Sequence, residues 1–244
     1  MHTIVEAGVC NVVTENFYGV TQIGALSYVH HRFYGLVQAG VVSSATGGFR
    51  GFLQLGVANT IGHGLYRELF GIYGSGDATF EGGFQIGAAN FLDDDFMGIA
   101  QLGAGNLIDG NFSGLLQLGG LGNWVDDSFY GLAQAGLINF VDEEFHGLLQ
   151  AGGLNWIDDD SYGIQVGAAN LVMREHAGLQ VGAFNGTDGI YGAQIGIVNY
   201  ATEGRGVQIG LVNIIDRGGL LPVSPIMNIA MNPDNDYKSA KSSH

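Results

Sequence analysis

Phe129-Tyr130-Gly131-Leu132-Ala133-Gln134-Ala135-Gly136-Leu137-Ile138-Asn139-Phe140-Val141-Asp142-Glu143-Glu144 runs directly into Phe145-His146-Gly147-Leu148-Leu149-Gln150-Ala151-Gly152-Gly153-Leu154-Asn155-Trp156-Ile157-Asp158-Asp159-Asp160. Both stretches place an aromatic, then Gly, Gln, Gly and Asn at the same positions, and both close on acids. Two earlier copies, Phe80–Asn90 and Phe96–Asn106, share the pattern. Such a period means that the chain builds one small unit many times, so the repeat sets the fold before any local propensity does.

Outward from this stretch, the glutamines fall at Gln22, Gln38, Gln54, Gln85, Gln101, Gln117, Gln134, Gln150, Gln165, Gln180, Gln194 and Gln208, mostly 14 to 17 residues apart. The 31-residue step from Gln54 to Gln85 reads as two periods, with a degenerate copy at Leu69 to Asp77. From Gln165 onward each copy loses one residue between Gly and Gln. About fourteen units result, read as a single β-repeat domain over residues 1–231 with a polar, disordered tail over 232–244.

Each unit is predicted to be a strand. In the late copy, Gly206, Gln208, Gly210 and Val212 share one side of an extended chain, and Val207, Ile209, Leu211 and Asn213 share the other. No copy carries the apolar stripe of a helix, and each interior glycine would cost a helix about 1 kcal/mol. Both faces are apolar or small, so both are expected to be covered, by protein or by lipid. The extra residue of the Gly-x-x-Gln copies calls for a β-bulge beside the glycine. Asp, Asn and Gly cluster between the strands, where they suit turns.

Two all-β architectures fit. In the leading one the units form a closed, barrel-like antiparallel array. The eleven residues from Phe129 to Phe140 match a tilted strand crossing a bilayer between aromatic girdles. In the alternative, each unit is one coil of a parallel β-solenoid, with amide ladders of Gln on Gln and Asn on Asn. A variant makes each unit a short hairpin around a channel.

Composition narrows the function classes. Glycine accounts for 43 of 244 residues, yet there are three prolines and 46% hydrophobic residues, which excludes collagen and disorder. Net charge is −15, and no Lys or Arg lies between Arg67 and Arg174, so a phosphate backbone would be repelled and nucleic acid is not an expected partner. The single cysteine, Cys10, cannot form an internal disulfide and is expected to be a small buried residue. Met1 to Asn11 lacks the pattern of a signal peptide, which places the protein in the cytoplasm or makes its start follow a removed leader. No apolar run reaches the roughly 18 residues of a transmembrane helix.

The motif Gly-[Leu/Val/Ala]-Gln-[Ile/Val]-Gly-[Leu/Ile/Ala]-[Val/Ala/Phe]-Asn at Gly178–Asn185, Gly192–Asn199 and Gly206–Asn213 resembles the bacterial surface-repeat family known from leptospires and other Gram-negative bacteria. The closing Leu220-Leu221-Pro222-Val223-Ser224-Pro225-Ile226-Met227-Asn228 is similar to the segment that follows those repeats. The likeness is tight over roughly residues 160–230 and looser before it. It implies a cell-surface or outer-membrane location and brings no catalytic residues.

No catalytic centre can be assembled. The seven histidines recur at no fixed repeat position, and His30-His31 has no further ligand at metal spacing. Gly71 to Asp77 lacks the Gly-Lys-Ser/Thr ending of a phosphate loop, and there is no Gly-x-Ser-x-Gly elbow. The acidic turns, chiefly Asp93, Asp94, Asp95, Asp158, Asp159 and Asp160, are weak calcium candidates, read first as solvated turns. Gln101, Asn106, Gln134, Asn139, Gln150, Asn155, Gln194, Asn199, Gln208 and Asn213 read as structural repeat positions, and no cofactor is expected. The expected function is non-enzymatic: a structural or surface-associated β-repeat protein acting through shape, with possible contact to membrane lipid. The alternative is a soluble binding module that presents an acidic rim to a basic protein, a cation or a glycan.

Overall fold

The computed structural model describes residues 2–62 and 78–231. All regular structure among them is β. The chain divides into two compact units, Met1–Val141 and Asp142–His244. Each is a parallel β-solenoid, so the alternative architecture holds and the antiparallel barrel does not.

The register makes the correction. In the first unit Phe80–Ile86 lies parallel to Phe49–Leu55, with Phe80 on Phe49 and Gln85 on Gln54. Ala89–Leu92 lies parallel to Ala58–Ile61, with Asn90 on Asn59. In the second unit Phe145–Ile157 pairs in parallel with the chain that begins at Ser161, Gln150 on Gln165 and Asn155 on Asn170. Parallel stacking sets Gln on Gln from rung to rung and Asn on Asn from Asn59 onward within each unit, whereas an antiparallel array would oppose each amide with an unrelated residue. Because Gln54 sits directly on Gln85, the copies around them are neighbours in the stack. The degenerate copy proposed at Leu69 to Asp77 lies outside the described residues, as does the 232–244 tail.

A parity argument explains why the eleven-residue aromatic spacing is not a membrane-crossing strand. Phe129, Gln134 and Asn139 are each five residues apart, which on a straight strand would alternate their faces, yet all three are fully buried. The chain therefore changes phase twice per coil. One change is a bulge beside the glycine, where Gly147 and Leu148 together oppose Gly163, since His146 pairs with Tyr162 and Leu149 with Ile164. The other is a corner, seen at Gly87-Ala88 between two separate strands. Phe129 and Phe140 thus lie on different stretches of one coil. The shorter late copies drop the bulge residue and instead use Gly163, Gly178 and Gly192 at positive φ (128°, 150° and 150°), where a Cβ would collide with the carbonyl oxygen of the rung below.

The interior of the first unit is a set of columns. Phe17, Phe33, Phe49, Phe80, Phe96, Phe112 and Phe129 stack with ring centroids 4.8–4.9 Å apart and planes within 5°, which is the spacing of adjacent strands. An aliphatic column runs beside them through Val29, Ala45, Ile61, Leu92, Ile108, Val125 and Val141.

The C-terminal end of the second unit is closed differently. Val223–Ala230 runs antiparallel along Gly206–Ile214, with Asn228 opposite Gln208. It covers the last rung's free edge, which would otherwise offer unpaired backbone groups to another strand.

Candidate functional site

The amide positions read as structural lie in the interior as two ladders of opposite polarity. In the first unit each glutamine Nε2 donates to the Oε1 of the preceding one, from Gln134 back through Gln117, Gln101, Gln85, Gln54 and Gln38 to Gln22, at 2.8–3.0 Å. Gln22 ends the run on the Glu6 carboxylate at 3.1 Å. The asparagines donate the other way, from Asn59 through Asn90, Asn106 and Asn123 to Asn139, at 2.7–2.8 Å. In the second unit Gln208 donates back through Gln194, Gln180 and Gln165 to Gln150, while Asn155 donates forward through Asn170, Asn185 and Asn199 to Asn213, at 2.7–2.8 Å. Each chain of amides polarises its members, and the two opposed chains offset one another's dipole. These side chains are buried, so they present nothing to a ligand.

What faces outward is aliphatic. Along the first unit one outer column reads Val20, Leu36, Phe52, Ile99, Leu115 and Leu132, 41% to 57% exposed, with Gly83 on the rung between Phe52 and Ile99. Beside it Ile23, Leu55 and Leu118 also point to solvent, and a shallow apolar depression of about 500 Å3 is lined by Leu102, Gly103, Leu118, Gly119, Gly120, Ala135 and Gly136. The second unit shows the same exterior at Ile195, Ile197, Ile209 and Leu211, continued on the closing strand by Val223, Ile226 and Met227. Of the two strand faces expected to be covered by protein or by lipid, the chain itself covers one. The coil covers its amide and phenylalanine face, and the aliphatic face is open. Contiguous exposed apolar surface of more than a few hundred Å2 is uncommon on soluble monomers.

The acidic turns border these faces. Asp95 Oδ1 accepts the Asn111 backbone N–H at 2.8 Å and its Nδ2 at 3.1 Å. Thr79 donates to Asp94 at 3.3 Å, and the indole N–H groups of Trp124 and Trp156 donate to Asp126 and Asp158. Asp160 accepts the Glu175 backbone N–H at 3.0 Å, and Arg174 pairs with Asp159 and Asp160. Asp160 in turn raises the Arg174 pKa, while burial, then Asp160, raises that of Tyr162. Among the described residues no three His, Cys, Asp or Glu side chains converge as a metal would require; Asp94, Asp95, Asp158 and Asp160 accept hydrogen bonds at the turns, Asp159 and Asp160 pair with Arg174, and Asp93 donates its backbone N–H to the Ile61 carbonyl at 3.1 Å.

The remaining candidates fall elsewhere. The rings of His30 and His31 lie 4.8 Å apart and tilted by 45°, and the Tyr28 hydroxyl lies 3.2 Å from His30 Nδ1. Cys10 is exposed, not buried, because its coil position faces outward. The segment from Gly71 to Asp77, His63 and His244 lie outside the described residues. One histidine set aside with the others in the sequence, as recurring at no fixed repeat position, proves notable: His176, fully buried in the second unit. Its place two residues before Gly178 matches that of Phe145 before Gly147, and this alignment is the signal that could have found it. No helix among the described residues is long and apolar enough to cross a membrane. No known protein family, no curated protein and no solved structure matches the chain.

Proposed function

We propose that this is a non-enzymatic, surface-associated scaffold that works by seating its aliphatic outer columns on an apolar partner surface, with the outer leaflet of a membrane as the first candidate. The observation that carries this reading is the inversion of the coil, with Gln and Asn inside and Leu, Ile and Val outside. Regular columns give a flat, repetitive apolar surface, which suits an extended partner better than a small ligand. Exposed aromatics at Tyr18, Trp124 and Tyr130 add the amphipathic rings that favour a membrane interface. The net charge of −15 disfavours anionic headgroups. The resemblance to surface-repeat proteins agrees with a location at the cell surface or outer membrane.

Flotation with vesicles tests the proposal. The protein is expected to rise with phosphatidylcholine vesicles and less with anionic ones, and the double substitution Leu115→Glu, Leu132→Glu should abolish flotation with the far-UV spectrum unchanged. A protein that stays in the aqueous phase as a detergent-free monomer would overturn it. A second reading, an acidic rim offered to a basic protein, cation or glycan, draws on the turn acids recurring at one repeat position, and predicts salt-sensitive retention on a cationic matrix instead.

A further inference from the structure

The buried amides, with few exceptions, are paired, but one rung of the second unit breaks that economy. Phe145 is stacked on Ser161. The close approach of Gly163 to Gly178, and of Gly178 to Gly192, continues the same column through His176 to Ile190. Ser161 and His176 are both fully buried. The Ser161 hydroxyl has no hydrogen-bond partner in the protein, and the imidazole of His176, which meets only the backbone of Leu179, leaves at least one ring nitrogen without one, although the two residues are neighbours in one column. The other buried hydroxyl of that coil, Thr187, is already engaged by the Arg174 and Gly189 carbonyls at 2.9 and 3.1 Å.

A neutral imidazole offers one donor and one acceptor, and a serine hydroxyl offers both. Buried polar groups left without partners are rare, and an enclosed water is the usual means of pairing them. The Ser161 hydroxyl takes up less of the column than the phenyl ring of Phe145 with which it is in register. We propose that Ser161 and His176 enclose an ordered water molecule inside the second unit, bridging the serine hydroxyl and an imidazole nitrogen. This rung then carries an internal polar ligand at the place where the rung of Phe145 carries a ring, and the water fixes the tautomer of His176.

The test is a crystal structure that resolves ordered water, combined with a double-mutant cycle of Ser161→Ala and His176→Leu on the full chain. A density peak is expected within hydrogen-bonding distance of both Ser161 Oγ and a His176 nitrogen, and gone in Ser161→Ala. The two substitutions should be coupled by on the order of fivefold in the unfolding equilibrium constant, because each alone strands the water and the other side chain. A map empty at that spot overturns the proposal, and so does an additive cycle. Ser161→Ala, a small deletion, keeps the first readout available if His176→Leu does not fold.

Discussion

Gly136 shows how tightly single residues are fitted. A Cβ there would lie 2.6 Å from the Gly119 carbonyl oxygen of the rung below, a contact that only backbone movement relieves. Gly136→Val is expected to lower stability by about 1–3 kcal/mol, as overpacking does, whereas Glu143→Gln, on an exposed turn, should change it by less than about 0.5 kcal/mol. Chemical denaturation of the two variants gives the comparison. His176 makes a pH prediction. Burial lowers its pKa from 6.5 to about 4, opposed only by the backbone of Leu179. The charged groups flanking its coil, Asp160, Arg174, Glu175 and Asp188, do not shift it. Between pH 6.5 and 4 the unfolded chain binds a proton that the folded one refuses, so stability is full above 6.5 and falls as pH drops towards 4. The loss attributable to this one group is of order 3 kcal/mol. His176→Leu should flatten the stability profile over that window, and an unchanged profile would show that the ring is not buried neutral.

At the scale of the coil, the ladders make the amides the costly residues and the aliphatics the cheap ones. Gln117 donates to Gln101 and accepts from Gln134, both at 2.8–2.9 Å. Gln117→Leu therefore strands two buried amide groups, at about 1–3 kcal/mol each. Leu115→Gln, at a residue 49% exposed, is expected to be near neutral in thermal unfolding. In a core of ordinary polarity the order would be reversed. The repeat, its strand character and its turns were legible in the chain because they depend on spacing and on Gly, Asp and Asn alone. The bulge was legible too, from the one-residue difference between Gly-x-x-Gln and Gly-x-Gln copies. The inward side was not, because period-two alternation separates two faces without saying which is inside, and the habit of burying aliphatics points the wrong way here. The barrel reading failed on parity: five residues from Gln134 to Asn139 cannot keep both amides on one face of a straight strand, and the corner between them was missed.

At the scale of the molecule, charge and apolar surface are segregated into turns and faces. Twelve acids lie between Asp93 and Asp160 with no Lys or Arg among them, and beyond the pairing of Arg174 with Asp159 and Asp160 their repulsion is relieved by solvent and salt. Calcium and sodium at matched ionic strength should therefore raise the melting temperature alike, and a calcium-specific rise lost on changing Asp158, Asp159 and Asp160 to Asn would reveal a true site. The central claim is that parallel coils stack like on like with aliphatics outward, and one pair of probes addresses it. Leu115 and Leu132 occupy the same outer position on adjacent rungs, where the Leu132 N–H donates to the Leu115 carbonyl at 2.9 Å. With Cys10 replaced by Ser, nitroxide labels on Leu115→Cys and Leu132→Cys should attach to the native protein without denaturant. Their spectra should show the strong spin–spin broadening of a separation of about 5 Å, the distance between neighbouring strands. Labels that attach only after unfolding, or that show no broadening and so lie well apart as on alternating strands, would contradict the account.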